Sequence, residues 1–105
     1  MEQPNLSYIN TLSGGDKEFE AQLLDVVKNE FPTEKETYYK NLNNKNYKLA
    51  AENVHKLKHK ISILGLSKSY DIAINYENNL LDNNTDLKEE FDNILTVITN
   101  YLNKL

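Results

Sequence analysis

The sequence predicts an all-α fold: an antiparallel, up-and-down four-helix bundle with a short additional N-terminal helix. Three observations lead there. Apolar residues recur at three- and four-residue steps through most of the chain, which places them on one face of successive helices. No segment alternates apolar and polar residues over strand length, so no sheet is expected. The breaks between periodic stretches are only a few residues long, and short connections favour neighbours that run in opposite directions.

The first helix is short and ends at Gly14 and Gly15, after which Asp16 is placed to cap the second. That second helix is expected over about Asp16 to Phe31, with Phe19, Leu23, Val26, Val27 and Phe31 on one face. Pro32 predicts a break. Thr33 and Glu36 have the spacing of a capping box, so a third helix is expected to run to about Asn43 with Tyr38, Tyr39 and Leu42 as its contacts.

The strongest pattern lies between Tyr47 and Gly65, where Tyr47, Ala50, Val54, Leu57, Ile61 and Leu64 form an unbroken seam and Gly65 ends the helix as a C-terminal cap does. A further helix over Ser67 to Leu81 is expected to turn Tyr70, Ala73, Ile74, Leu80 and Leu81 inward, with Asp82, Asn83 and Asn84 making the turn after it. The last helix opens with Asp86 and Glu89 as a second capping pair. Its seam reads Leu87, Phe91, Ile94, Leu95, Ile98, Leu102 and Leu105.

Composition bounds the chemistry. With 105 residues, of which 39% are hydrophobic, the chain fits one domain spanning 1–105 around one modest core. No cysteine is present, which excludes disulfides, thiolate metal sites and thiol nucleophiles. The opening residues lack a basic start followed by an apolar run, and no stretch approaches a membrane span, so a soluble, cytoplasmic protein without membrane partners is expected. The formal net charge is −4, and all 12 basic residues are lysine, so the guanidinium forks that read bases are missing and nucleic acid is not an expected partner. The 16 asparagines read as polar loops and solvated faces. There is no glycine-rich phosphate loop, no serine with an evident base and no carboxylate pair set apart by its spacing, which argues against an independent enzyme or kinase.

The only histidines, His55 and His59, share the helix from Tyr47 to Gly65, whose seam direction is already fixed. At about 100° per residue, His55 points well away from that seam and reaches solvent mid-helix. Lys58 sits at the seam margin one turn on, Ser62 lies a further turn along the same flank, Ile63 falls outside the seam and Leu66 lies nearer the His55 flank.

The local string Val54-His55-Lys56-Leu57-Lys58-His59-Lys60-Ile61-Ser62-Ile63-Leu64-Gly65 resembles the signature of histidine phosphotransfer domains of two-component phosphorelays. In that family the phosphoryl-accepting histidine is followed by an apolar residue, then lysine, then glycine, and by a leucine-glycine pair at the helix end; Leu57, Lys58, Leu64 and Gly65 match. The resemblance extends upstream through Leu12-Ser13-Gly14-Gly15-Asp16 and Phe31-Pro32, and downstream to Glu77, so it covers about the whole chain. It implies that His55 takes a phosphoryl group from a phospho-aspartyl receiver domain and passes it to another. The chain is then a phosphocarrier without a kinase site or a cofactor of its own, since Mg2+ comes with the receiver. The implied partners are response-regulator receiver domains and a hybrid histidine kinase, met by a monomer.

The residue types suit that chemistry. A neutral imidazole is a good nucleophile near neutral pH. Phosphoryl transfer needs in-line placement and charge neutralisation more than acid–base groups, and Lys58 is placed to supply part of the positive field. Lys56 and Lys60, with Lys48, bias this side positively towards an acidic receiver pocket. Lys56, Ser62, Ile63 and Leu66 are the candidate docking residues.

One departure stands out: His59 occupies the position where the family has glycine, and an imidazole there narrows access, donates to the phosphoryl group or offers a second acceptor. Two rival readings follow. In one, His59 obstructs the site and the protein is a receiver-binding adaptor without transfer. In the other, His55 and His59, four residues apart, chelate a metal with Glu52 nearby.

Overall fold

The computed structural model describes residues 2–105, and among them every regular element is a helix: α1 (Ser7–Ser13), α2 (Lys17–Asn43), α3 (Tyr47–Ile63), α4 (Ser67–Leu81) and α5 (Lys88–Asn103). Helix α3 lies against both α2 and α4, α4 packs on α5, α2 also touches α5, and α1 packs on α2. One continuous core runs between α2, α3, α4 and α5. No helix among the described residues is long and apolar enough to cross a membrane.

The expected break at Pro32 does not occur. Helix α2 continues through it for 27 residues, a span of roughly 40 Å at about 1.5 Å per residue, which sets the 43 Å long axis of the molecule. The reason is the register of the buried face. Val27, Phe31, Tyr38 and Leu42 follow one another at four, seven and four residues, so the same stripe serves the core on both sides of the proline, and Pro32 itself faces solvent. An interior proline costs about 3 kcal/mol, whereas each large side chain kept on that stripe contributes roughly 1.5–3 kcal/mol. No capping box forms at Thr33 and Glu36, because there is no helix end to cap; the Thr33 carbonyl accepts from the Thr37 hydroxyl instead, at 2.9 Å.

Helix ends are closed by several devices. Asp16 caps α2 as expected, accepting from the amides of Glu18 and Phe19 at 3.0 and 3.2 Å. Helix α4 is capped from far away in sequence: the Glu2 carboxylate accepts from the amides of Lys68 and Ser69 at 3.1 and 2.9 Å. Burial on its own would raise the Glu2 carboxyl, but donation from Ser69 and Lys68 outweighs it and holds the group below the usual carboxylate range.

After α3 the chain makes a Schellman closure: the Gly65 amide donates to Ser62 O at 3.0 Å and the Leu66 amide to Ile61 O at 3.2 Å. Gly65 adopts φ +76°, a left-handed conformation that favours glycine, and a Cβ there would lie 2.6 Å from the Asn5 side-chain amide, which would have to move aside. The same closure recurs after α2 and α4, with Lys45 and Asn83 in the left-handed position.

Several side chains lie elsewhere than the periodicity suggests. Phe19, Val26, Leu81 and Leu105 are exposed, while Tyr76 is fully buried. On α4 the inward face is Ala73, Tyr76 and Leu80, a rotation away from Ile74 and Leu81. The expected Asp86–Glu89 cap does not form. Leu87, at φ +77°, occupies the N-cap position of α5, and Asp86 is engaged through its backbone by Asn84 and Asn79.

Two asparagines enter the interior: Asn53 is buried and accepts from Asn41 at 2.6 Å, tying α3 to α2. At the centre, the hydroxyls of Tyr38 and Tyr76 lie 2.6 Å apart, and Tyr38 donates to Asp92 at 3.3 Å. Burial pushes the Tyr76 phenol up to about 12 and the Tyr38 phenol further, so both stay neutral.

Candidate functional site

His55 stands in the middle of α3 with Val54, Leu57 and Ile61 fixing the opposite face in the core. Its side chain is 56% exposed. Nδ1 faces the Glu77 carboxylate of α4 at 3.4 Å. The other oxygen of Glu77 lies 2.9 Å from the Lys58 ammonium, an ionic approach that lacks the angle of a hydrogen bond. One carboxylate therefore spans an imidazole and an ammonium that leave the same face of α3 one turn apart.

This arrangement shows where Lys58 lies. Rather than a mobile charge at the margin, it is only 13% exposed, drawn onto Glu77, and its ammonium sits 5.7 Å from the centre of the Tyr70 ring. The carboxylate in turn favours a proton on the His55 nitrogen that faces it, which leaves the Nε2 lone pair as the outward, nucleophilic one.

His59 follows one turn later, its ring edge-on to that of His55 at 86° with centroids 5.4 Å apart. The two rings border different grooves. His55 lines a hollow of about 300 Å³ between α3 and α4 with Ala51, Glu52, Lys56, Glu77 and Leu81. His59 lines a broader groove between α2 and α3, with Asn29, Thr33 and Lys56 among its neighbours. Across that groove the Lys60 ammonium contacts Glu30 at 2.7 Å and Glu34 at 2.9 Å. Burial disfavours the Lys60 charge, but the two carboxylates more than offset it and raise the ammonium above its ordinary range. Of the three lysines expected to bias this side positively, Lys60 is thus spent within the molecule, while Lys56 stays exposed beside the rings and Lys48 is exposed at the start of α3.

The candidate docking residues separate. Ser62 is exposed and shares a second hollow with Tyr8 of α1 and Tyr70 of α4. Ile63 is half-buried against the core. Leu66, only 1% exposed, is withdrawn from the surface, because the residue after the glycine of a Schellman closure turns back over the last apolar turn and here joins Ile61 in the core. Glu52 does not complete a metal set with the histidines: among the described residues no three such ligands gather.

Glu77 is the site residue that the sequence resemblance reaches but to which it gives no role. A signal existed: it falls four residues after Ala73 and three before Leu80, and a carboxylate on an inward face needs a cation. Glu77→Gln should therefore lower stability by about 1–3 kcal/mol, between the values for exposed and buried pairs, as read by urea unfolding. Adding Lys58→Met should recover most of that loss, since no ammonium is then left unpaired. A Glu77→Gln protein as stable as the parent would show that the carboxylate holds nothing together.

Comparison with protein-family models, with curated proteins and with solved structures finds no match to this chain.

Proposed function

We propose that this chain is a phosphorelay intermediate of the histidine phosphotransfer kind, an up-and-down four-helix bundle with a short N-terminal helix. In this reading His55 accepts a phosphoryl group from the phospho-aspartate of one receiver domain and passes it to another. The observation that carries the reading is an exposed imidazole at mid-helix whose Nδ1 faces Glu77 at 3.4 Å. The resemblance of the sequence around it supplies the reaction.

The step is a simple displacement. The Nε2 lone pair attacks phosphorus in line, the aspartyl P–O bond breaks, and the carboxylate leaves. The ring becomes a phospho-imidazolium, and Glu77 beside Nδ1 offsets the new positive charge. Return to a second aspartate reverses the same bonds. Mg2+ and the aspartate belong to the receiver, so this chain brings no cofactor of its own. Lys56 and Ser62 flank the approach, and an acidic receiver pocket suits the ammonium of the former. A monomer in the cytoplasm suffices for this role.

Purified receiver domains, phosphorylated with a radiolabelled small donor and mixed with this chain, should lose label to it. The label should be acid-labile and alkali-stable, and a second receiver should remove it. His59→Gly, which clears one side of His55, should preserve or quicken the exchange. Receiver binding without any labelling would replace the relay with an adaptor role.

A further inference from the structure

The pairing of the two imidazoles has a consequence for the phosphorylated protein that the transfer step does not need. His55 and His59 are held one turn apart by the backbone of a well-packed helix, with ring centroids 5.4 Å apart. A phosphoryl group on the outer nitrogen of His55 would bring close to two negative charges to the edge of that pair.

The cations nearby differ in how far they are committed. Lys58 is bound to Glu77 of α4, and Lys60 to Glu30 and Glu34 of α2. Among the described residues no carboxylate lies within ion-pair distance of Lys56 or His59. Lys56 borders the same groove as His59, alongside Lys60. Glu30 and Glu34, the carboxylates that border the same groove as His59, are engaged by Lys60, while Glu52 and Glu77 border the hollow on the His55 side. The arriving phosphoryl group is thus the change that tips the field at His59 towards protonation. An imidazole is the side chain whose ordinary titration falls near neutral pH, so this tipping acts in the physiological range.

We propose that His59 is a positioning residue for the phosphorylated state: it takes up a proton as His55 is phosphorylated, and its imidazolium then holds the phosphoryl group in place. This rests on His55 as the acceptor. Binding linkage makes the effect reciprocal: whatever the phosphoryl group does for the His59 proton, the proton does for the phosphoryl group. Loss of the group passes through a loose transition state in which its charge is already spread, so the imidazolium stabilises the attached group more than that state, and retention becomes sensitive to pH through a residue that is not itself the acceptor.

The test uses phosphoramidate, which phosphorylates histidine without a receiver. The NMR titration of the His59 ring protons should move to higher pH when His55 carries the group. At about pH 6, where an imidazole is substantially protonated, label on His55 should survive roughly three- to tenfold longer in the parent chain than in His59→Gln. The two proteins should converge at about pH 8.5, where an ordinary imidazole is neutral. A lifetime ratio that stays constant with pH, or a His59 titration that ignores phosphorylation, overturns the proposal. Phosphoramidate labelling with the expected pH profile, but no delivery from any receiver, removes the relay reading and leaves this one standing. If phosphoramidate places no group on His55, both fall together.

Discussion

His55→Gln should take no phosphoryl label from receivers, while folding as the parent does. The imidazole is more than half exposed on a helix whose buried face is made by other residues, so its removal leaves the core untouched. Glutamine is a good helix former, and Glu77 keeps its ion pair with Lys58. Stability should stay within about 0.5 kcal/mol of the parent, the usual range for a surface substitution. Loss of label with an unchanged unfolding curve assigns the acceptor to this one nitrogen-bearing ring. If label survives in His55→Gln and disappears in His59→Gln, the acceptor is the neighbouring histidine and the roles given to the two rings must be exchanged.

Phe91→Ala should lower stability by about 3–5 kcal/mol, the range for removing a fully buried aromatic ring, and this is a large part of the 5–15 kcal/mol typical of a domain. Phe91 is completely enclosed, with ring centroids 5.3 Å from Tyr38 and 5.1 Å from Tyr76. Its ring packs against both tyrosines whose hydroxyls form the buried pair. Its loss opens a cavity and loosens the contact of α5 with both α2 and α4. Thermal unfolding should report a midpoint lower by roughly 12 °C or more for a domain of this size. A shift under about 4 °C, equivalent to some 1 kcal/mol, would show that the ring trio is not central to the fold.

How much of this was legible in the sequence depends on what fixed each feature. The α3 seam was largely readable, because Ala50, Val54, Leu57, Ile61 and Leu64 recur at three- and four-residue steps and are all buried, although Ala51 and Asn53 are buried beside them and the neighbouring Leu49 is exposed. The exposure of His55 follows from it. On α4 and in the first half of α2 several apolar residues sit side by side, so that Ile74 and Leu81, or Phe19 and Val26, were indistinguishable from true core positions without knowing where the next helix lies. The uninterrupted α2 was hidden for a different reason: proline is a strong local signal, and only the stripe shared by Phe31, Tyr38 and Leu42 across it shows that packing overrides the local preference.

The polar part of the site was the least visible. Which carboxylate meets Lys58, and that the same one reaches His55, is decided by the contact of α3 with α4 across 19 to 22 residues of chain. The cap that Glu2 places on α4 is more remote still and leaves no pattern in the sequence.

Because α3 is clasped on one side by α2 and on the other by α4, the ring of His55 is carried on a helix held from two sides rather than on a loop. In the proposed relay a ring carried in this way has little backbone freedom left to lose at the moment of reaction, so most of the entropic cost of alignment falls on the incoming partner. Variation in rate between partners should then reflect how their own loops settle around the ring, with this molecule serving each of them as the same stationary post.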